Sequence, residues 1–89
     1  MIHQIVNYRV KKEKLKDVKK ALVELLSEVR KNQDLTPIYE AFQKSDACTF
    51  VHLMAFQDKK AQESHSSSSY VQRFREILYP SCEEQPVFI

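Results

Sequence analysis

One apolar stripe sets the frame. Leu15, Val18, Leu22, Leu25, Leu26 and Val29 recur at three- and four-residue steps, with Lys16, Asp17, Lys20, Glu24, Ser27 and Glu28 between them. That spacing places the apolar side chains on one face of a helix over about Lys12–Lys31, ended by Asn32, Gln33 and Asp34. A second stripe follows later, in Tyr70, Val71, Phe74, Ile77 and Leu78, and Pro80 is expected to stop it. Two amphipathic helices can cover only one face of a sheet, so the rest of the chain must supply the sheet and a way to cover its other face.

The strand signals lie around the helices. Ile2 to Val10 alternates: Ile2, Gln4, Val6, Tyr8 and Val10 share one face, and His3, Ile5, Asn7 and Arg9 share the other. The nearly apolar even face is expected under the helices. Leu35–Lys44 reads as a second strand with Pro37 near its start, and Lys44, Ser45 and Asp46 as a tight turn. Ala47–Gln57 reads as a third strand, apolar on both sides. Its small set (Ala47, Thr49, Val51, Leu53, Ala55) is expected under the helices, and Cys48, Phe50, His52, Met54 and Phe56 on the opposite face. Asp58 caps a short helix over Lys59–His65. In the run Ser66–Ser69, Ser69 and Gln72 have capping-box spacing. Pro86–Ile89 is a short terminal strand.

The order βαββαβ with right-handed crossovers gives an α+β, ferredoxin-like domain over residues 1–89. It has a four-stranded antiparallel sheet, with helices on one face. The first and third strands should lie side by side at its centre. Ile5, Phe50, Met54 and Phe56 are then expected on the helix-free face. So large an apolar patch calls for a homodimer that packs sheet against sheet.

Composition narrows the function. The chain has 89 residues and no glycine, where average usage would give about six. Dinucleotide-binding and phosphate-cradling loops need glycine for close backbone approach, so neither device is expected. The net charge is +2. Lys11, Lys12, Lys14, Lys16, Lys19 and Lys20 cluster, but Glu13 and Asp17 interrupt them, so a solvated helix face is expected rather than a nucleic-acid patch. No stretch approaches the roughly 18 apolar residues of a membrane helix. The alternating strand at the N-terminus does not resemble a signal peptide, and two isolated thiols, Cys48 and Cys82, suit a reduced cytoplasm. No HxxxH spacing or acidic neighbour points to a metal, and no cofactor is expected.

The residues resemble the antibiotic-biosynthesis-monooxygenase-like family of the dimeric α+β barrel superfamily. The resemblance is carried by Tyr8-Arg9-Val10 before a charged helix, by Tyr39, by Phe50-Val51-His52-Leu53-Met54-Ala55-Phe56, and by Ala61, His65 and Ser68 in an Ala-x-x-x-His-x-x-Ser pattern. It implies a dimeric barrel and a cofactor-independent monooxygenase acting on a quinol or other small aromatic. It also allows a non-catalytic or stress-associated barrel that binds a small molecule, or an isomerase of a small carbonyl compound. Three departures stand out. Leu35 stands near the place of the family's usual glycine before strand two, Met54 stands where many members carry a glutamate, and Arg75 stands where the haem-degrading branch has its ligating histidine.

In such a pocket a histidine removes a proton and polar donors hold the resulting anion. His65 or His52 is the expected base, Asn7 and Arg9 the expected anion donors, and Phe50, Met54 and Phe56 the apolar walls. Competing structural readings also exist. His65 can be a locally bonded helix end, His52 a buried histidine satisfied in the dimer core, and His3 an exposed strand start. Asn7 can serve the backbone, Arg9 can pair with a glutamate across the dimer, and Cys48 can be a small core hydrophobe.

Overall fold

A computed structural model of the chain describes residues 1–32 and 34–88. The expected helix-ending role of Gln33 and the place of Ile89 in the last strand lie outside the described residues. Among the described residues the order is β1 (Ile2–Val10), a single 3-10 turn (Lys12–Lys14), α1 (Leu15–Lys31), β2 (Ile38–Gln43), β3 (Thr49–Phe56), α2 (Lys59–Ser66), α3 (Ser69–Ser81) and β4 (Cys82–Phe88). The four strands form one antiparallel sheet in the order β2-β3-β1-β4. This is the ferredoxin-like arrangement, with β1 and β3 at the centre.

α1 buries Val18, Ala21, Leu22, Leu25 and Val29 against the sheet. α3 buries Val71, Phe74 and Leu78. Together with the even face of β1 they form the core: Val6, Tyr8 and Val10 are all buried. The lysine cluster around the start of α1 is exposed.

β3 faces the other way from the expected assignment. Its register with β1 pairs Gln4 with Met54, Val6 with His52 and Tyr8 with Phe50. Residues directly opposite one another share a face. Phe50, His52, Met54 and Phe56 therefore lie under the helices, each 7% exposed or less. The helix-free face is instead built from His3, Ile5, Asn7 and Arg9 of β1, Thr49, Val51 and Leu53 of β3, and Ile38, Glu40 and Phe42 of β2. Of the four apolar residues expected there, only Ile5 is present. Both faces of β3 are apolar, so alternation alone could not orient it; pairing with the unambiguous β1 does.

Other boundaries move for local reasons. β2 begins at Ile38, directly after Pro37, rather than at Leu35. Pro80 lies inside α3, which ends within two residues of it. Ser68, not Ser69, caps α3 by accepting from the Val71 N–H, while Gln72 donates to the Ser66 carbonyl. Asp58 caps α2 as expected, accepting from the Ala61 N–H at 2.8 Å. β4 starts at Cys82, four residues earlier than expected. It sits at the sheet edge and bulges where Gln85 and Pro86 together face Tyr8. An edge strand with a bulge tolerates a proline, which has no N–H to donate.

In the turn before β3, Ala47 has a φ of 68°, the one positive value among the described residues. Asp46 fixes this turn by accepting from the Cys48 and Thr49 N–H groups and the Thr49 hydroxyl.

Candidate functional site

Three adjacent strands, β2, β3 and β1, bring a histidine between two tyrosines. His52 lies on β3, paired with Val6 of β1 and Ala41 of β2. Tyr8 is two residues along from Val6, and Tyr39 two residues along from Ala41, both on the same face. These diagonal positions lie within reach of aromatic side chains. The Tyr8 hydroxyl lies 2.7 Å from His52 Nε2, and the Tyr39 hydroxyl 2.9 Å from His52 Nδ1. Buried tyrosines need a partner for the hydroxyl, and His52 supplies both.

α2 brings the second histidine to the same region. His65 is 5% exposed, and its Nδ1 lies 3.3 Å from the Thr36 hydroxyl. Its ring packs between Phe56 and Tyr39, at centroid distances of 5.2 and 5.5 Å. Among the described residues Nε2 has no hydrogen-bond partner. Burial lowers the pKa of both histidines to about 4, and for His65 the Arg75 charge adds to the effect. Both rings are therefore neutral at pH 7. Burial also pushes the Tyr8 and Tyr39 hydroxyls above the ordinary phenol range, so both keep their protons.

A cavity of about 70 Å³ opens between the sheet and α3. Its polar points include Gln4, Tyr8, Tyr39, His52, His65 and Arg75, and its walls include Val6, Met54, Phe74 and Leu78. Tyr79 and Phe88 also line it and are 40% and 54% exposed, so they form its mouth. Arg75 donates to the Ser66 carbonyl at 3.0 Å, which anchors its guanidinium beside α2.

The fold thus gathers some of the expected site residues and disperses others. His65, His52 and Met54 meet at the cavity. Phe50 and Phe56 are core residues, the first stacked on Tyr8 at 5.5 Å and the second against His65. Asn7 and Arg9 stand on the opposite face of the sheet, away from the cavity, because odd positions of β1 point away from the helices. Arg9 pairs with Glu83 of its own chain at 3.5 Å. Tyr8, Tyr39, Thr36 and Arg75 were not expected as site residues. A signal for Tyr8 was present: a tyrosine alternating with Val6 and Val10 on a buried face must spend its hydroxyl on something. Among the described residues no group of three His, Cys, Asp or Glu side chains could hold a metal ion.

The family model for antibiotic biosynthesis monooxygenase matches residues 1–77. The chain belongs to the antibiotic biosynthesis monooxygenase family. Among solved structures, it superposes on an antibiotic biosynthesis monooxygenase with a TM-score of 0.91 at 20% identity, covering 100% of this chain and 94% of the other. A Nitrosomonas europaea protein given the same family name provisionally superposes with a TM-score of 0.89 at 18% identity, covering 98% and 84%. A conserved protein from Methanosarcina mazei follows at 0.88 and 16%, covering 98% and 86%. At these identities the superpositions establish the shared fold. Among curated proteins none matches this chain. Within the antibiotic biosynthesis monooxygenase fold, the cavity under α3 is where this chain concentrates its buried polar groups. No helix is long and apolar enough to cross a membrane among the described residues.

Proposed function

We propose that this protein is a cofactor-independent monooxygenase that oxidises a small quinol-like aromatic in the cavity beneath α3. The observation that carries this reading is a neutral, buried imidazole, His65, at the wall of an aromatic and apolar cavity. With Nδ1–H donating to Thr36, Nε2 is the basic nitrogen. It takes the proton of a ring hydroxyl. Arg75 is the cation that holds the resulting oxyanion, the role expected of Asn7 and Arg9 from sequence. The anion passes an electron to dioxygen, and the radical pair combines. Overall, a hydroquinone and dioxygen give a hydroxyquinone and water, so no outside reductant is required. The working unit is a homodimer joined through the helix-free face, which exposes Ile5, Ile38 and Phe42.

One observation favours a second reading, a binding barrel without turnover. An apolar cavity of about 150 Å³ holds one benzene, and this cavity has about 70 Å³. A ring must therefore widen it, through Tyr79 and Phe88 at the mouth. Oxygen uptake by the purified, chelator-treated protein with a panel of hydroquinones separates the two. Turnover should exceed the spontaneous rate, and His65→Ala should lower it about a hundredfold, as for a lost general base. Uptake no faster than the spontaneous rate across the panel overturns the enzymatic reading.

A further inference from the structure

Among the described residues that line the cavity under α3, Arg75 is the one with a permanent charge. The titratable groups around it are imidazoles and phenols, none of them a carboxylate. β1 contributes Tyr8, β2 Tyr39, β3 His52, α2 His65 and α3 Tyr79, while α1 and β4 bring no titratable side chain to the lining. Arg75 is half-buried, and among the described residues no carboxylate pairs with it. Its one hydrogen bond among those residues goes to the Ser66 carbonyl. A guanidinium has five N–H donors and does not shed its charge. A cation drawn out of water without a counter-ion is costly, and here the counter-ion is left for the ligand to bring. The charge reaches both sides of the cavity. Burial and then Arg75 lower the pKa of His65 on α2, and at Tyr39 on β2 Arg75 opposes the rise that burial causes.

The base sets a second limit. His65 stays neutral above about pH 4, and an ordinary phenol ionises near pH 10. A proton moved from such a phenol to His65 climbs about six pKa units, a factor of about a million in the equilibrium. His65 can pass the proton on to water, but it cannot keep it at pH 7. The ring hydroxyl must therefore be acidic in itself, and Arg75 must favour its charged form.

We propose that the cavity selects acidic phenols, rings whose hydroxyl is conjugated to an electron-withdrawing group such as a carbonyl, and binds them as the phenolate against Arg75. On binding, the O–H bond breaks, its electron pair stays on the ring oxygen, and the proton leaves to solvent. Arg75 is the contacting residue. The inference rests on the reading that the cavity takes a small quinol-like aromatic, and it narrows that class to its acidic members.

The test uses the full chain and two probes of similar shape, 4-nitrophenol and 4-nitrotoluene. The first has an acidic hydroxyl whose phenolate absorbs visible light, and the second has no hydroxyl. Bound to wild type, 4-nitrophenol should ionise with a midpoint lower by about one pH unit or more than in buffer, which is phenolate binding at least about tenfold tighter than phenol. Arg75→Gln should return the midpoint to that of the free probe, and Arg75→Lys, which keeps the charge, should retain most of the change. By NMR, 4-nitrotoluene should bind wild type and Arg75→Gln within about twofold of each other, which shows the cavity intact. A bound probe whose midpoint in wild type is unchanged or raised overturns the proposal and leaves the small-aromatic reading standing; that result needs no variant to fold. A midpoint still lowered in Arg75→Gln overturns it too. If neither probe binds wild type, the small-aromatic reading falls and this proposal with it.

Discussion

Mild acid should weaken this fold well before carboxylates titrate. In the unfolded chain His52 and His65 have an ordinary pKa of about 6.5; burial lowers both to about 4 in the native state. Between these values the unfolded chain binds protons that the folded chain refuses, so stability rises with pH there. The contribution is complete above about pH 6.5 and is lost as pH falls toward 4. At about pH 5 the shift spans roughly 1.5 units, or about 2 kcal/mol for His52. His65 adds somewhat less, because it borders the cavity, where solvent screens part of the effect. A domain of this size has about 5–15 kcal/mol in total, so the loss is a substantial fraction. Asp46, whose pKa is lowered by its turn hydrogen bonds, titrates below this window and does not mask it. Urea unfolding at about pH 7 and about pH 5 should show the midpoint falling by more than about 1 M. His52→Phe should remove about half of that pH dependence, whatever its baseline stability. A loss below about 0.5 kcal/mol in wild type, or an undiminished loss in His52→Phe, would refute the neutral-buried assignment.

Two further perturbations test the packing. If the proposed homodimer forms through the helix-free face, Ile5→Asp, which places a charge there without touching the core, should give a stable monomer where wild type sediments as a dimer; an unchanged dimer would remove that face as the interface. Tyr70→Phe deletes a buried hydroxyl that lacks a hydrogen-bond partner among the described residues, so it should be neutral or stabilising by up to about 1 kcal/mol in thermal unfolding; a loss above about 1 kcal/mol would show that the hydroxyl has a partner.

The residues announced some of this more clearly than others. β1 was legible because one of its faces is nearly all apolar and the other polar. α1 was legible because its stripe is flanked by charge at every turn. β3 was not, since Phe50, Met54 and Phe56 alternate with Val51, Leu53 and Ala55, and either set could have faced the helices. That single inversion displaced the expected site. It kept His52 in view but attached it to Asn7 and Arg9, which lie across the sheet. His65 was found through the Ala-x-x-x-His spacing. Arg75 was noted only as a replacement for a haem ligand, and nothing in the linear order places it opposite His65. The tyrosine partners of His52 depend on strand register, which local sequence does not carry.

The position of β1 has a consequence in time. The first strand of the chain pairs with residues 49–56 on one side and 82–88 on the other. One of its hydrogen-bonding edges therefore stays open until residues 49–56 are available, and the other until residues 82–88 are. Closing loops that long costs entropy before any contact repays it. During synthesis, Ile2–Val10 emerges before either of the strands it pairs with, next to a helix that can form early by itself. The slow event in folding should be the return of β4 to β1. The same event completes the cavity wall, because Pro86 and Phe88 arrive with it. A nascent chain that lacks β4 could hold its histidine and tyrosines in register, yet it would have no closed cavity in which to use them.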